Sequence, residues 1–400
     1  VAGCVAQQEG EKLLRKAPFV DIVLGPDNIP ELPALIREVE HGAPPITRTV
    51  FDMDDPQFLR ATPQADRREV TAYVTVMKGC DERCTFCIVP YTRGSERYRA
   101  ADQIVAEIAE LVAGGVREVT LLGQTVNSWH EPGAKAHAAK LESKTAASTS
   151  QFAGLLRRIA REVPDLLRLR YTSPHPRHIT PELIAAHADL DLLPAHVHLP
   201  VQSGSDRVLR RMARRYTAED YVTRTDALKA ARGGLTLSAD FIVGFPGETE
   251  EDFEQTLDLV KRVGFVAAFA FKYSPRPYTP ALKLGDEVAE EVKDDRLARL
   301  FAVVEMQQQA HLRSLVGREL QVLVEGPSPG DSGRFAGRSE RNEIVHLVAP
   351  EAYDPTGELV RVTIDEPFRH SLSGYMQGAE PRDARGRRTR LSVVDAGGTV

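Results

Sequence analysis

Three cysteines fall within eight residues, Cys80-Asp-Glu-Arg-Cys84-Thr-Phe-Cys87, and the chain's fourth and last cysteine is the distant Cys4. Three thiolates so closely spaced can wrap one face of a cubane iron–sulfur cluster and leave its fourth iron without a protein ligand. A metal position left open in this way is what separates catalytic from structural sites. The alternative is a structural zinc ion, but zinc usually takes four protein ligands at paired spacings. No second pair and no nearby His-x-His completes such a set here. A disulfide scaffold would be shorter and would spread more cysteines along the chain.

The cysteines follow a β-rich run, Ala72–Met77, the first of six such runs. The others are Glu118–Leu122, Leu167–Tyr171, His196–Leu199, Leu237–Val243 and Ala267–Tyr273. Amphipathic helical patterns lie between them near 102–113, 152–162, 181–188, 219–231 and 250–262. Six strand–helix alternations predict a parallel α/β sheet, open or closed into a partial (β/α)6 barrel, with its chemistry at the carboxyl ends of the strands. The unusual phrases of the chain stand there: Gly123-Gln-Thr-Val-Asn127, Tyr171-Thr-Ser-Pro-His-Pro176, His198-Leu-Pro-Val-Gln-Ser-Gly-Ser205 and Asp240-Phe-Ile-Val-Gly-Phe-Pro-Gly-Glu-Thr249. Gln202 and Ser203 can supply hydrogen bonds, and Gly204 permits close backbone approach. Ordinary turn chemistry would also call for several of these glycines, asparagines and prolines.

On either side the composition changes. Residues 1–60 hold an apolar run, Val20-Asp-Ile-Val-Leu24, and a helical pattern through Leu32, Leu35, Ile36 and Val39, which reads as the last βα unit of an α/β domain beginning upstream. Gly42 to Arg68 reads as a linker. The polar stretch 131–150 reads as a surface insertion. A charged helix over roughly 287–315 leads into residues 316–374, where short strands (Leu320–Glu325, Ile344–Leu347, Leu359–Ile364) between Gly, Pro, Asp and Ser predict a small all-β barrel. The Gly- and Arg-rich end, 377–400, is expected to be disordered.

Four hundred residues suggest two or three domains, and 42% hydrophobic with 27% charged residues is the composition of a soluble globular protein. No apolar run approaches the roughly 20 residues a bilayer-spanning helix needs, so a cytoplasmic, membrane-free monomer is expected. A net charge of −6 argues against nonspecific coating of nucleic acid. Residues 316–374 carry six arginines against ten acidic residues, so any RNA contact there must be local. Arg334, Arg338 and Arg341, read as one loop, are the candidates, with Arg93 beyond the cysteines. The run Arg207, Arg210, Arg211, Arg214 and Arg215 reads as readily as a solvated face.

The cysteine spacing, and the longer phrase Met77-Lys-Gly-Cys-Asp-Glu-Arg-Cys-Thr-Phe-Cys-Ile-Val-Pro-Tyr-Thr-Arg-Gly94, resemble the methylthiotransferase family of the radical S-adenosylmethionine superfamily. The likeness extends to about residue 374. It implies a radical core over 66–304, a TRAM RNA-binding barrel over 307–376, and a carboxyl-terminal part of the family's amino-terminal domain over 1–60. Cys80, Cys84 and Cys87 would hold a [4Fe–4S] cluster whose open iron binds S-adenosylmethionine, which one electron splits to a 5′-deoxyadenosyl radical. Phe86, Gly123, Gln124, Ser173, Gln202, Gly204, Asp240, Gly244 and Gly247 would line that cofactor. Cys4 would be the third ligand of an auxiliary [4Fe–4S] cluster whose other cysteines lie upstream. The resemblance further implies a tRNA substrate methylthiolated at C2 of N6-isopentenyladenosine beside the anticodon, an electron donor, and a sulfur or cluster source. Action on threonylcarbamoyl-adenosine or a ribosomal-protein aspartate is the nearest alternative, and a non-catalytic metal-containing RNA-binding protein is another.

Overall fold

The computed structural model describes residues 1–53, 56–61, 69–133, 150–329 and 333–379. Residues 134–149 of the expected insertion, 380–400 of the tail and 62–68 of the linker therefore lie outside the described residues. No helix among those described is long and apolar enough to cross a membrane.

At the amino terminus two short helices, Cys4–Glu9 and Glu11–Lys16, precede strand β1 (Ile22–Leu24) and the helix Leu32–Glu40. Strand β2 (Ile46–Arg48) then pairs parallel with β1, in the register Ile22 to Ile46. The reading of Gly42 onward as a linker is corrected here: its first part is a sheet strand. Three residues between two prolines and a polar stretch are too short to show alternation.

The unit is clamped to the rest of the chain by Asp27. Its buried carboxylate takes Lys78 at 3.1 Å, Arg97, and the backbone N–H of Asp52 at 3.1 Å. Both cations flank the cysteine loop in sequence. They belong to the short antiparallel pair of β4 (Met77–Lys78) and β5 (Arg97–Tyr98), which follows β3 (Thr71–Thr75).

The central strands are parallel, as six alternations predict. They form two three-stranded sheets, one of β3, β6 (Glu118–Leu122) and β7 (Arg168–Tyr171), the other of β8 (His196–His198), β9 (Thr236–Val243) and β10 (Ala267–Lys272). No ladder joins β7 to β8, so a continuous six-stranded sheet is not what forms. The outer faces are packed. Val74, Val119, Leu121, Leu169, Leu237 and Phe241 lie in one core with Ile104, Ile108, Phe152, Leu156, Phe253 and Val260 of the covering helices. Several of the covering helices start where the sequence supplies caps, with full capping boxes at Thr217/Asp220 and Thr249/Asp252, whereas Ala101–Ala113 has no side-chain cap.

The helix Glu290–Ser314 leads to a closed barrel of β11 (Glu319–Pro327), β12 (Phe335–Ser339), β13 (Ile344–Val348), β14 (Leu359–Pro367) and β15 (Ser371–Met376), in the order β11-β12-β13-β15-β14. The strands β12 and β15 are not legible as β sequence, because each carries an interior glycine. A Cβ on Gly337 would lie 2.2 Å from the Leu323 carbonyl oxygen, and one on Gly374 2.5 Å from that of Thr363, so close backbone crossing dictates both.

This barrel docks on the amino-terminal ends of the central strands. Buried Arg168 donates to the carbonyls of Arg338 (2.6 Å) and Gln321 (3.1 Å), and Arg341 donates to the carbonyl of Gly234 at 2.8 Å. The expected cationic loop is thereby corrected. Arg334 precedes β12, is buried and donates to Ser373 at 3.1 Å, and Arg341 is committed to the docking contact. Arg338 lies within β12, about a third exposed and paired with Glu325 at 3.3 Å.

The clamp has a measurable consequence. Burial alone would raise the pKa of Asp27, but Arg97, the Asp52 N–H and Lys78 outweigh it and hold the carboxyl below its usual range. Its stabilisation is therefore full above the ordinary carboxylate pKa and is lost as pH falls through the lowered one. Asp27→Ala leaves two buried cations uncompensated and should cost about 3–5 kcal/mol near neutral pH, read by urea unfolding. A loss under about 1 kcal/mol would show that the clamp carries little.

Candidate active site

The cysteine loop leaves β4 at Gly79, whose φ of 74° and lack of a side chain are both required. A Cβ there would sit 2.0 Å from the Ser95 carbonyl oxygen. The chain returns alongside itself, with the Cys80 N–H donating to Gly94 at 3.2 Å and the Glu96 N–H to Asp81 at 3.1 Å. Farther along, the Thr85 N–H and hydroxyl donate to the carbonyls of Met212 (3.0 Å) and Arg211 (2.8 Å), and Ala281 donates back to the Thr85 carbonyl at 2.9 Å. Between the first two cysteines, Glu82 reaches the loop after β7, with His178 Nε2 at 3.0 Å and Arg177 at 3.3 Å. Burial would raise its carboxyl, but the hydrogen bond with His178 and the charge of Arg177 hold it well below the ordinary range.

All three cysteines are free thiols. Cys80 Sγ lies 3.0 Å from the Thr125 hydroxyl. Cys84 Sγ accepts from Arg214 at 3.4 Å. Burial pushes the Cys80 thiol up to about 12; Thr125 and the Glu82 N–H pull it down, while Glu96 and Cys84 add to the rise. Cys87 is raised by burial too, with Cys84 contributing. Crowded thiols, two of which (Cys80 and Cys87) resist ionisation in the metal-free protein, are a donor set that needs a strong cation, because metal binding must displace their protons. An iron cluster fits that requirement. Arg214 fits it as well. This guanidinium is buried, and its other hydrogen bonds go to the Pro200 carbonyl (2.9 Å) and the Tyr216 hydroxyl (2.8 Å). Among the described residues no carboxylate pairs with it, which leaves thiolate sulfur as its nearest source of negative charge.

The phrases after the other strands converge on this loop. Gln124 Oε1 and His175 Nε2 are buried with no hydrogen-bond partner among the described residues. The His175 backbone is pinned on both sides by Asn127, at 2.8 and 3.0 Å. Its Nδ1 accepts from the Arg177 N–H at 3.2 Å, which makes Nε2 the protonated nitrogen and an unmatched donor. Burial, then Arg214, holds this ring neutral. His175, His178 and Glu82 offer ligand atoms within 4.8 Å of one another, and the hydrogen bond within the trio is that between His178 and Glu82. Ser173 (φ 55°) and Gln202 (φ 74°) adopt left-handed backbone without being glycine. Such strain persists only where surroundings impose it, and it gathers at functional sites.

Other expected cofactor residues have local packing duties. A Cβ on Gly123 would strike Met77, on Gly204 the backbone of Gln255 and Thr256, on Gly244 the side chain of Lys293, and on Gly247 that of Arg211. Phe86 packs with Val208, Met212, Phe245 and Tyr273. Asp240 lies on the inner face of the sheet, 3.4 Å from His198 Nε2. Arg93, a candidate RNA contact, donates through Nε to Cys4 Sγ at 3.2 Å. The helix Val89–Arg93 carries it there directly from the cysteine loop, so Cys4 stands beside that loop. Sequence reasoning missed Glu82, Thr125 and Arg214. Nothing in a run of arginines marks Arg214 as the buried member.

Alkylation of the metal-free protein tests this environment. An ordinary thiol's rate levels off near pH 9, whereas that of Cys80 should keep climbing about tenfold per pH unit toward pH 12. Peptide mass spectrometry after iodoacetamide would read it, and a plateau near pH 9 would contradict it.

The family model of the radical SAM superfamily matches residues 74–260. The tRNA-2-methylthio-N(6)-dimethylallyladenosine synthase of Sorangium cellulosum is 58% identical, over 100% of this chain and 84% of that protein. The synthase of the same name from Acidithiobacillus ferrooxidans is 44% identical, over 96% of this chain and 82% of that one. Among solved structures, coproporphyrinogen III oxidase (HemN) of Escherichia coli, a radical SAM enzyme, is 16% identical with a TM-score of 0.42, covering 69% of this chain and 68% of that one. On the identity and coverage of its curated relatives, the chain belongs to the tRNA-2-methylthio-N(6)-dimethylallyladenosine synthase family of radical SAM enzymes.

Proposed function

We propose that this chain methylthiolates N6-dimethylallyladenosine in tRNA, using a [4Fe–4S] cluster held by Cys80, Cys84 and Cys87 and S-adenosylmethionine. The observation that carries the reading is a trio of free thiols on one stapled loop, buried at Cys84 and half-buried at Cys80 and Cys87, with Arg214 against Cys84. When bound, the cluster supplies the electron that breaks the sulfonium bond of S-adenosylmethionine.

The chain's own residues do the positioning. Thr85 and Glu82 fix the loop to different strand ends, and Gly79 lets it return on itself. Arg214 stabilises negative charge at the Cys84 sulfur, and a hydrogen bond from a charged donor is a strong one. Thr125 can donate to the Cys80 sulfur in the same sense. Gln124 and His175 each bring an unmatched polar atom to the site, and these are the groups we assign to the polar parts of S-adenosylmethionine. We assign Gln202 and Ser173, in left-handed backbone after β8 and β7, to its edge.

The second [4Fe–4S] cluster, with Cys4 as a ligand and a sulfur source to replenish it, also belongs to this proposal. Its support is the position of Cys4 against Arg93, one helix away from the first trio. We assign residues 66–304 to the radical core and 307–376 to the RNA-binding barrel. An external electron donor, a cytoplasmic site of action and a monomeric state complete the reading.

Nucleoside mass spectrometry tests it. A strain lacking the gene should accumulate N6-dimethylallyladenosine and lose its 2-methylthio derivative. The wild-type gene should restore the derivative and the Cys84→Ala gene should not. Full restoration by Cys84→Ala, or loss of a different nucleoside, would refute the assignment.

A further inference from the structure

Two tyrosines near the cysteine loop belong neither to the core nor to the site described above. Tyr91 lies on the helix Val89–Arg93, which runs on from Cys87, and Tyr278 lies in the turn that follows β10. Their ring centroids are 5.9 Å apart, with the planes tilted by 35°. Both residues nevertheless stay open to solvent, Tyr91 at 46% and Tyr278 at 60%. The turn that carries Tyr278 is firmly built. Thr279 is buried and its hydroxyl donates to the Arg276 carbonyl at 2.7 Å, while the Ala281 N–H donates to the Thr85 carbonyl of the cysteine loop at 2.9 Å. Tyr278 itself has a φ of 67°, a left-handed conformation that a bulky residue rarely adopts and that glycine takes freely. Such strain gathers where function imposes it. Glycine would close the same turn without strain, and a ring largely in water adds little to the fold, so the fold alone does not account for a tyrosine here. Two residues earlier, Arg276 is exposed and makes no ion pair among the described residues.

We propose that Tyr278, backed by Tyr91, is a stacking platform for one unpaired base of the RNA loop, a neighbour of the adenosine that is modified, with Arg276 set for an adjoining backbone phosphate. The proposal rests on the functional reading above and adds a recognition surface outside the cysteine site. Position argues for this occupant. The helix under Tyr91 begins two residues after Cys87, and the turn under Tyr278 is bonded to Thr85, so an RNA that brings a base to the cysteines has its neighbouring nucleotides within reach of both rings. Chemistry argues for it too. Single-stranded RNA is read by stacking its splayed bases on aromatic side chains and arginines, and an exposed ring accepts any base because every base has a π-face. With a net charge of −6 the chain has little general attraction for a polyanion, which gives a local stacking contact more weight. The strain at Tyr278 is then the cost of aiming its ring out of the turn and over the approach to the site.

Fluorescence anisotropy with an anticodon stem–loop RNA containing N6-dimethylallyladenosine tests the platform. Tyr278→Gly should weaken binding about tenfold, and Tyr278→Phe should keep it. Tyr278→Ala should lose the same affinity yet unfold at lower urea than Tyr278→Gly, since only glycine relieves the backbone. That opposition separates a lost contact from a damaged fold. RNAs carrying an abasic site at each nucleotide flanking the modified one, in turn, identify the base. One of them should bind wild type about tenfold more weakly than the intact RNA, and Tyr278→Gly should not tell the two apart. Undiminished affinity in Tyr278→Gly overturns the proposal. So does a wild type and variant that lose equally on every abasic RNA, because the ring then stacks on none of those bases. If wild type fails to bind the intact RNA, the functional reading falls; if it binds and the Tyr278 comparisons fail, only this inference falls.

Discussion

A loop that carries three thiols in eight residues cannot present them together unless its backbone is held from outside, because burial drives Cys80 and Cys87 toward their protonated forms and like charges crowd the thiolates. The structure holds this loop from several directions at once. Its base is closed by β4 and β5 through Gly79, its middle is tied by Glu82 to the loop after β7, and its last third is tied by Thr85 to Arg211, Met212 and Ala281. These anchors come from both halves of the central fold. β7 and β8 share no ladder, so the cysteine loop itself spans the seam, with Glu82 on one side and Cys84 with Thr85 on the other. Site and fold are mutually dependent: the strand ends shape the loop, and the loop braces the two sheets.

The same economy governs the charges. Each peripheral unit docks through a buried ion whose partners are chosen to satisfy it. Asp27 fastens the amino-terminal unit to the cations flanking the cysteines, and Arg168 fastens the carboxyl-terminal barrel through backbone carbonyls. Arg214 differs, being buried against neutral oxygens and one sulfur. A buried guanidinium without a carboxylate is costly unless another anion stands beside it, and cluster-bound thiolates are anions. The arrangement makes sense as a preorganised field around the cysteines, complete only when the metal is bound.

Much of this was legible in the residues. The strand–helix alternation was readable because the strands bury one face under helices with matching apolar stripes, some of them strongly capped, as at Thr217 and Thr249. The cysteine spacing was readable because ligand geometry limits it. What escaped were features set by tertiary contact. β12 and β15 were hidden by Gly337 and Gly374, which serve backbone crossings and weaken the β signal. β2 was too short to show a period. The arginines misled in both directions. Arg334 and Arg341, expected at an RNA surface, serve the barrel and its docking, whereas Arg214, in a run that read as solvated, is buried at the site. Charge in a sequence does not say which ions will be desolvated; packing decides that. The residues around the cysteines, Glu82 and Thr125 included, carry no spacing rule of their own.

The central claim is that the trio holds a cluster with one iron open to S-adenosylmethionine. Electron paramagnetic resonance of the anaerobically reconstituted, reduced protein addresses it most directly. The account predicts the signal of a reduced [4Fe–4S] cluster whose g-values shift when S-adenosylmethionine is added, since the cofactor becomes a ligand of the open iron. A spectrum unchanged by saturating S-adenosylmethionine, or a protein that takes up zinc and no iron, would contradict it.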